Sequence, residues 1–482
     1  MQTWSSRPST TDAKQQSIPA AHNCNLALAS AERIRLWLVA DWRSAKLVPF
    51  GAALAILTVL VTAAYYANRP HIELDPDTGA YLMDAHHIAN GGGIVDPARL
   101  PGYPLLMAFV FSLAGENRLA AVSVVQAVLF ILAAVEIYAV HCLLLRRGIL
   151  AFLVAALVGT NLQLICHIKP ILSEALALFL LTTLALAVVL CVRSLCARAV
   201  WGVATCLLAL FMTRPEWLYL PVPLFAYLLL LAWREGILRR LLPHALAATL
   251  VLYGIAGLYI HANAIQYSCP TLTYVQNINL LGKIMQYHMQ DEAIAQYSGF
   301  THIVDRYLAQ GDTDPWHVIQ SQYSPLFPAC YALFYDNSIS IIARHPIEYL
   351  TKSIPIAGEV LTGTTSQSPI LQNEPFADWL LPLDALSRVV MHSLLVFPLV
   401  ALVWWVMLAW RHTHDQLVVP AMGALALVAF YGLALTSLGG YIFYPRLRTP
   451  YGPLLIVVVW SSLVLSGQVA ARLLRARGEE GT

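Results

Sequence analysis

Apolar residues in this chain gather in long unbroken runs rather than in the alternating or 3.6-residue patterns of half-buried strands and helices. Runs close to the about 20 residues that a bilayer helix needs fall near 48–67, 119–145, 149–167, 172–192, 199–213, 217–233, 241–262, 386–410, 416–438 and 451–470. They predict about ten transmembrane helices, of which 199–213 is the least secure. The apolar stretch from Pro104 to Ala114 is too short to cross and predicts a helix lying at the membrane surface. Between the seventh and eighth runs, residues 263–385 are too polar to cross. This segment predicts helices near 272–288, 291–309, 336–344 and 346–360, with Pro346 placed to start the last. Strand signals are sparse and no repeat of 20 to 50 residues shows. The fold class is therefore all-α and polytopic, with juxtamembrane helices and a helical segment outside the bilayer.

Composition agrees with a membrane protein: 12% of the 482 residues are charged and 58% hydrophobic, and the mean hydropathy is +0.64. A net charge of +2 is too small to imply nucleic acid as a partner, and none is expected. With the N-terminus inside, the cytoplasmic segments collect Arg33, Arg35, Arg43, Arg146, Arg147, Arg193, Arg234, Arg239, Arg240, Arg411 and Arg472, which satisfies the positive-inside rule. Residues 1–46 show no cleavable signal and predict a cytoplasmic tail with an interfacial helix from about Asn25 to Trp42. The remaining divisions are an N-terminal membrane module (47–262) containing the first outer loop (68–118), an outer segment (263–385), a C-terminal membrane module (386–470) and a basic tail (471–482). The eight cysteines show no metal-ligand spacing. Cys269 and Cys330, both in the outer segment, are expected to form a disulfide in an oxidising compartment.

Charge beside the spans is concentrated at four places assigned to the outer face. The first is Asp75 and Asp77 in the stretch Glu73–Pro104, followed by Tyr81, the break Gly91-Gly92-Gly93, Arg99 and Pro101-Gly102-Tyr103-Pro104. The others are Lys169 with Ser173 and Glu174, Arg214 with Glu216, and Arg446 with Arg448. Each has a bland reading. Asp at a helix start can be an N-cap, and Glu174 and Glu216 can favour the helix ends that follow them. Lys169 and Arg214 can snorkel to headgroups, and Arg446 with Arg448 can hold anionic lipid. Together they suit a reaction in which a carboxylate takes a proton from a nucleophile while fixed cations neutralise a departing phosphate. No Gly-x-Ser-x-Gly elbow or phosphate-cradling loop points to a protein nucleophile or a nucleotide.

Asp77-x-x-x-Tyr81, the Gly-rich break and Arg99-Leu100-Pro101-Gly102-Tyr103-Pro104 resemble the first outer loop of the GT-C glycosyltransferases. The resemblance is to bacterial relatives of the dolichyl-phosphate-mannose protein mannosyltransferases and the lipid A aminoarabinose transferases. Ser173-Glu174, Thr213-Arg214-Pro215-Glu216, Arg446-Leu447-Arg448-Thr449-Pro450 and His345-Pro346-x-x-Tyr349 are similar to that family in order and spacing. The resemblance implies an inverting enzyme of the bacterial inner membrane. It would move a sugar from a polyprenyl-phosphate carrier to a hydroxyl acceptor (a lipid, glycan or protein) at the extracytoplasmic face. It implies Asp77 as base with Asp75 beside it, although Asp-Pro-Asp replaces the adjacent Asp-Glu of many relatives and leaves open which carboxylate acts. Arg214, Arg446, Arg448 and Lys169 would bind the carrier phosphate, and Tyr81, Arg99, Tyr103, Glu174, Glu216 and His345 would line the sugar and acceptor pocket. No cofactor is required, and a divalent cation is possible at Asp75 and Asp77. Two rivals stand beside this reading: a lipid-linked oligosaccharide polymerase or ligase using a diphosphate carrier, and a secondary transporter, which needs polar groups near the bilayer midplane.

Overall fold

The computed structural model describes residues 47–115, 118–145, 147–293, 298–322, 332–364, 376–410 and 417–480. The first span, α1 (Leu47–Asn68), leads into two short helices, α2 (Thr78–Ala89) and α3 (Gly102–Ala114), and then α4 (Arg118–Leu145). Next come α5 (Gly148–Gly159) and α6 (Leu162–Ile168), bent by 51° to one another. The bend has a local cause: Thr160 Oγ1 bonds back to Ala156 O at 2.7 Å, and Asn161 caps α6 by accepting from Gln163 N at 3.0 Å. Then follow α7 (Glu174–Ser194), α8 (Ala197–Thr213), a 3₁₀ turn at Pro215–Tyr219, α9 (Pro221–Arg234) and α10 (Leu238–Tyr267).

Among the described residues seven helices are long and apolar enough to cross a bilayer, or eight with the bent pair. The runs expected at 199–213 and 451–470 appear as shorter apolar helices, Ala197–Thr213 and Gly452–Gln468. α3 turns Tyr103, Met107, Val110 and Phe111 into a cluster with Tyr81, Ala85 and Val122, and leaves Phe109 and Leu113 outside. Leu246, Leu250, Leu258 and Ile265 on α10, like Ile56 and Leu60 on α1, are apolar yet exposed. Such rows face lipid, where a closed helical backbone leaves no polar group unsatisfied. This is an integral membrane protein.

Among the described residues five α-helices occupy the polar segment: α11 (Val275–Gln286), α12 (Ser298–Ala309), α13 (Pro315–Gln322), α14 (Ala332–Arg344) and α15 (Pro346–Thr362). Pro346 stands at the start of α15 as its fixed φ favours, whereas α13 was not foreseen. The chain closes with α16 (Leu381–His392), α17 (Phe397–Trp410), α18 (Val418–Gly439), the single-turn α19 (Tyr444–Arg448) and α20 (Gly452–Glu480). Residues 49–482 form one compact unit, and of the unit at 1–48 only Leu47 and Val48 are described. No strand occurs among the described residues.

Two expectations need comment. Charge is not confined to span ends: Glu136 lies inside α4 and accepts from Thr182 Oγ1 at 2.5 Å and Thr183 Oγ1 at 2.8 Å on α7, a polar lock between two spans. Cys269 is disulfide-bonded and buried, while Cys330, Arg146, Arg411 and the tail helix at 25–42 lie outside the described residues.

Between spans buried in lipid, association depends on close backbone approach rather than on expelling water. Gly432 on α18 shows this, because a Cβ there would meet the Tyr451 ring at 2.7 Å and Trp217 at 3.1 Å. Gly432→Val is therefore expected to lower stability in detergent by about 1–3 kcal/mol. Gly257→Ala, with nothing within 4 Å of the added Cβ, should be neutral or stabilising by up to about 1 kcal/mol. Thermal unfolding of the two purified variants measures both, and equal melting temperatures would refute the packing argument.

Candidate functional site

Asp75-Pro76-Asp77-Thr78 is a turn with the residues such a turn favours, Asp first and Pro second. Thr78 N donates to Asp75 O at 2.9 Å, and Asp77 N donates to Asp75 Oδ1 at 3.1 Å. Thr78 Oγ1 ties the turn to Ile171 O at 3.1 Å, and Ile171 N donates to Glu73 O at 3.1 Å. Asp77 stands at the N-cap of α2 but makes no side-chain cap bond. Its carboxylate goes elsewhere.

Arg446, on the single turn α19, joins three carboxylates that are all far from it in sequence. Its Nε donates to Glu174 Oε1 at 2.7 Å, Nη1 to Asp75 Oδ1 at 3.1 Å and Nη2 to Asp77 Oδ2 at 2.6 Å. The other oxygen of Asp77 accepts from Arg99 Nη2 at 2.6 Å. Glu174 is completely buried and is also paired at 3.2 Å with Arg214, whose Nε bonds Glu216. Asp75, Asp77, Arg99, Glu174, Arg214, Glu216 and Arg446 thus form one continuous ionic network. Neither snorkelling nor helix capping describes these residues.

The backbone on both sides is specialised for this convergence. Ile442 and Phe443, just before α19, have φ of 55° and 53°, a region that β-branched and bulky residues rarely enter. Strain of this kind persists where the surroundings over-determine it. At the loop that carries Arg99, a Cβ on Gly102 would meet Met212 O at 2.8 Å and Thr213 Cα at 2.9 Å. Glycine therefore lets this loop press against the end of α8, beside Arg214.

Other expected site residues are placed differently. Tyr81 and Tyr103 are buried and pack edge to face with ring centroids 5.0 Å apart. Tyr81 donates to Ser173 Oγ at 3.2 Å and supports the Arg99 guanidinium, 4.8 Å from its ring centre. Tyr103 donates to Gln126 Oε1 at 2.8 Å. They form a floor beneath the network rather than the lining of a pocket. Lys169 is buried and holds Arg69 O, His71 O at 2.8 Å and Glu73 at 3.2 Å, so it fixes the strand of chain leading into the Asp-Pro-Asp turn. Arg448 is fully buried, with its two Nη groups on the carbonyls of Val360 at 2.9 Å, Leu361 at 2.8 Å and Gly363 at 2.9 Å. It clamps the end of α15. His345 pairs with Glu292 at 3.1 Å, away from the Asp77 network.

Two cavities flank the network. The larger, about 310 Å³, is lined by Asp75, His167, Gln286, Glu359, Tyr444 and Arg446 among others. The smaller, about 200 Å³, is lined by Asp84, His87, Asp96, Arg99 and Tyr267 among others. Arg446 fronts one and Arg99 the other, with Asp77 bridging the two guanidiniums. Asp84, Asp96, Gln286 and Glu359 were missed in the sequence, though Asp84 and Asp96 lie in the stretch singled out there.

The neighbouring carboxylates have divergent proton affinities. Burial raises Asp75 from its ordinary value, with Arg446 pulling the other way. Burial also acts to raise Asp77, but the Arg99 and Arg446 guanidiniums outweigh it and hold the group at about 2. Burial, with Asp96 adding to it, pushes Asp84 up to about 7. A divalent cation does not fit the Asp75 and Asp77 pair as arranged, because both oxygens of Asp77 already accept from guanidiniums. Among the described residues, Glu292, His345 and Glu348 bring their ligand atoms within 4.8 Å of one another, but Glu348 is also paired with Lys352 at 2.7 Å.

The fold is similar to solved structures of the oligosaccharyltransferase AglB from Archaeoglobus fulgidus. Against the structure in complex with an inhibitory peptide and a dolichol-phosphate, identity is 12% and the TM-score 0.49, covering 90% of this chain and 52% of that one. The apo form of the enzyme gives 13% and 0.49, with the same coverage. A third structure, tethered to an acceptor peptide containing the NVT sequon, gives 13% and 0.47. This chain spans about half the length of those chains. No family model and no curated protein matches the sequence.

Asp84 gives a signed pH prediction. Its folded-state value, about 7, lies above the ordinary 3.8, so folding favours the protonated form. Its ionisation weakens the fold progressively from about pH 4 to pH 7. Asp84→Asn removes that effect, so the variant should be more thermostable than the parent at pH 8, with the difference shrinking below pH 7 and vanishing near pH 4. Melting curves across that range check it, and a difference independent of pH would refute it.

Proposed function

We propose that the protein is an inverting GT-C-type glycosyltransferase that moves a sugar from a polyprenyl-phosphate carrier to a hydroxyl acceptor at the extracytoplasmic face of a bacterial inner membrane. The observation that carries the reading is the placement of Arg446, which fronts the larger cavity while binding Asp75, Asp77 and Glu174 at once. The sequence resemblance and the basic loops on the opposite face support it.

In this reading the carrier phosphate enters the larger cavity and draws Arg446 toward its oxygens, for which a planar guanidinium is suited. Asp77 then loses one of the two cations that suppress its proton affinity. It becomes able to take the proton of an acceptor hydroxyl arriving from the Arg99 side. The acceptor oxygen bonds to the anomeric carbon as the carbon–phosphate-oxygen bond breaks, and the phosphate leaves with the electron pair, neutralised by Arg446. Asp75, on the cavity side with its raised proton affinity, supports the leaving phosphate as a hydrogen-bond donor. Glu174, Arg214 and Glu216 position Arg446, and Arg448 and Lys169 hold the backbone from behind.

The test is transfer by purified protein in liposomes from a radiolabelled polyprenyl-phosphate sugar to acceptor in native membrane extract. Asp77→Asn should lower transfer by about 10²-fold or more while carrier binding survives. Asp75→Asn should reduce it less, and Arg446→Lys should weaken carrier binding by about 1.5–3 kcal/mol. Near-normal turnover of Asp77→Asn, or transfer only from diphosphate-linked donors, would overturn the reading.

A further inference from the structure

Lys283 on α11 is a buried amine bonded to Tyr444, which lines the larger cavity. Its side chain has no solvent exposure, and among the described residues no carboxylate lies within ion-pairing distance. Instead Nζ donates to Tyr444 Oη at 3.0 Å and Tyr287 Oη at 3.3 Å, and lies 4.9 Å and 5.2 Å from the centres of those rings. Tyr444 passes the contact forward by donating to Gln286 Oε1 at 2.9 Å. Tyr444 and Gln286 both line the cavity. Tyr287 is held on its far side by Ser353 at 3.0 Å.

Burying an ammonium without a counter-ion costs several kcal/mol, offset only in part by two hydroxyls and two aromatic faces. An apolar residue would fill this place more cheaply. The lone cation in the apolar run Leu280-Leu281-Gly282-Lys283-Ile284-Met285 is the sequence signal that was overlooked.

Resting on the reading that an anion enters this cavity, we propose that Lys283 is a positioning residue for it, so that a lipid-linked phosphate binds with uptake of one proton at Lys283, transmitted through Tyr444 and Gln286. Burial holds Lys283 down to about 7, with Glu359 pulling the other way. The amine is thus poised to change charge when an anion arrives. The charged or titratable groups on the elements packed around it are Tyr287 just after α11, His317 on α13, Tyr335, Asp336 and Arg344 on α14, Glu348, Tyr349, Lys352 and Glu359 on α15, Tyr431 on α18, and Tyr441, Tyr444, Arg446 and Arg448 at or just before α19. Of the charged ones, Glu359 alone acts on it. Asp75, His167, Glu359 and Arg446 face the cavity itself.

The sign follows. Below about pH 7 Lys283 is already charged and the anion binds at full strength. Above that, each binding event must bring a proton, so affinity falls with rising pH by up to about tenfold per unit, the limit for one proton. The probe is a polyprenyl methyl phosphate, a diester whose single charge does not titrate in this range. We expect affinity to fall about tenfold between pH 7 and pH 8.5, and Lys283→Met to bind weakly with no slope over that interval. A slope that persists in Lys283→Met, or a flat profile in the parent, would overturn the assignment. Should Lys283→Met fail to fold, calorimetry of the parent at pH 8 in buffers of different ionisation enthalpy counts the protons directly. About one per ligand supports the assignment, and none overturns it. Failure of the parent to bind the probe at any pH is a different result, which removes the phosphate reading of the cavity itself.

Discussion

A carboxylate with no access to water, at the head of an apolar helix, must either be neutral or be met by a cation. Glu174 is met by two, Arg214 at 3.2 Å and Arg446 at 2.7 Å. Much of the site follows from that constraint. The two guanidiniums come from loops separated by more than 200 residues, so satisfying Glu174 draws the α8–α9 turn and the α18–α20 connection to one point. Arg446 then has two Nη groups left over, and the Asp-Pro-Asp turn supplies their acceptors. Removing one member would leave its partners buried and unpaired, which is typically worse than never having had the pair.

Ionic networks of this kind are poor sources of stability, because desolvation consumes most of the Coulomb attraction. Their value lies in specificity of arrangement and in what they can exchange. Here four carboxylates, Asp75, Asp77, Glu174 and Glu216, meet three guanidiniums, Arg99, Arg214 and Arg446. The excess of one acid agrees with the raised proton affinity of Asp75. A proton there brings the cluster to balance.

The parts of the structure visible in the sequence were those set by composition. Long apolar runs located the spans, since no polar segment could lie in lipid. Polar residues beside those runs located most of the network, since charge there is expensive. What stayed hidden was set by side-chain direction. Nothing in Arg446-Leu447-Arg448 tells which arginine turns to the carboxylates and which to the carbonyls at the end of α15; only the folded chain shows Arg446 on the first and Arg448 on the second. The resemblance implies Tyr81 and Tyr103 as pocket lining, whereas the packing of α2 on α3 puts Tyr81 beneath Arg99 and Tyr103 against Tyr81. Glu136 passed unnoticed because one acid scarcely lowers the hydropathy of a 28-residue helix. Its partners, Thr182 and Thr183, are adjacent residues on another helix, a pairing no single-helix pattern reveals.

The charge balance limits how any anion could enter the larger cavity. A phosphate approaching Arg446 competes with three carboxylates already bound to it, and each of them left unpaired in a buried site would oppose the exchange. Binding is possible only if positive charge arrives together with the phosphate or if a carboxylate gives up its own charge. The structure holds one group for each route: Asp75, whose burial already favours the protonated acid, and Lys283, whose burial favours the free amine. Asp75 lines the cavity itself, and Lys283 reaches it through Tyr444. Asp77 stands apart from both routes, since the two guanidiniums keep it ionised. A phosphate that engages Arg446 would raise the proton affinity of both Asp75 and Asp77, but Asp77 would keep Arg99 while Asp75 would lose its one guanidinium; in the proposed reaction that difference separates an acid beside the leaving group from a carboxylate able to act as base.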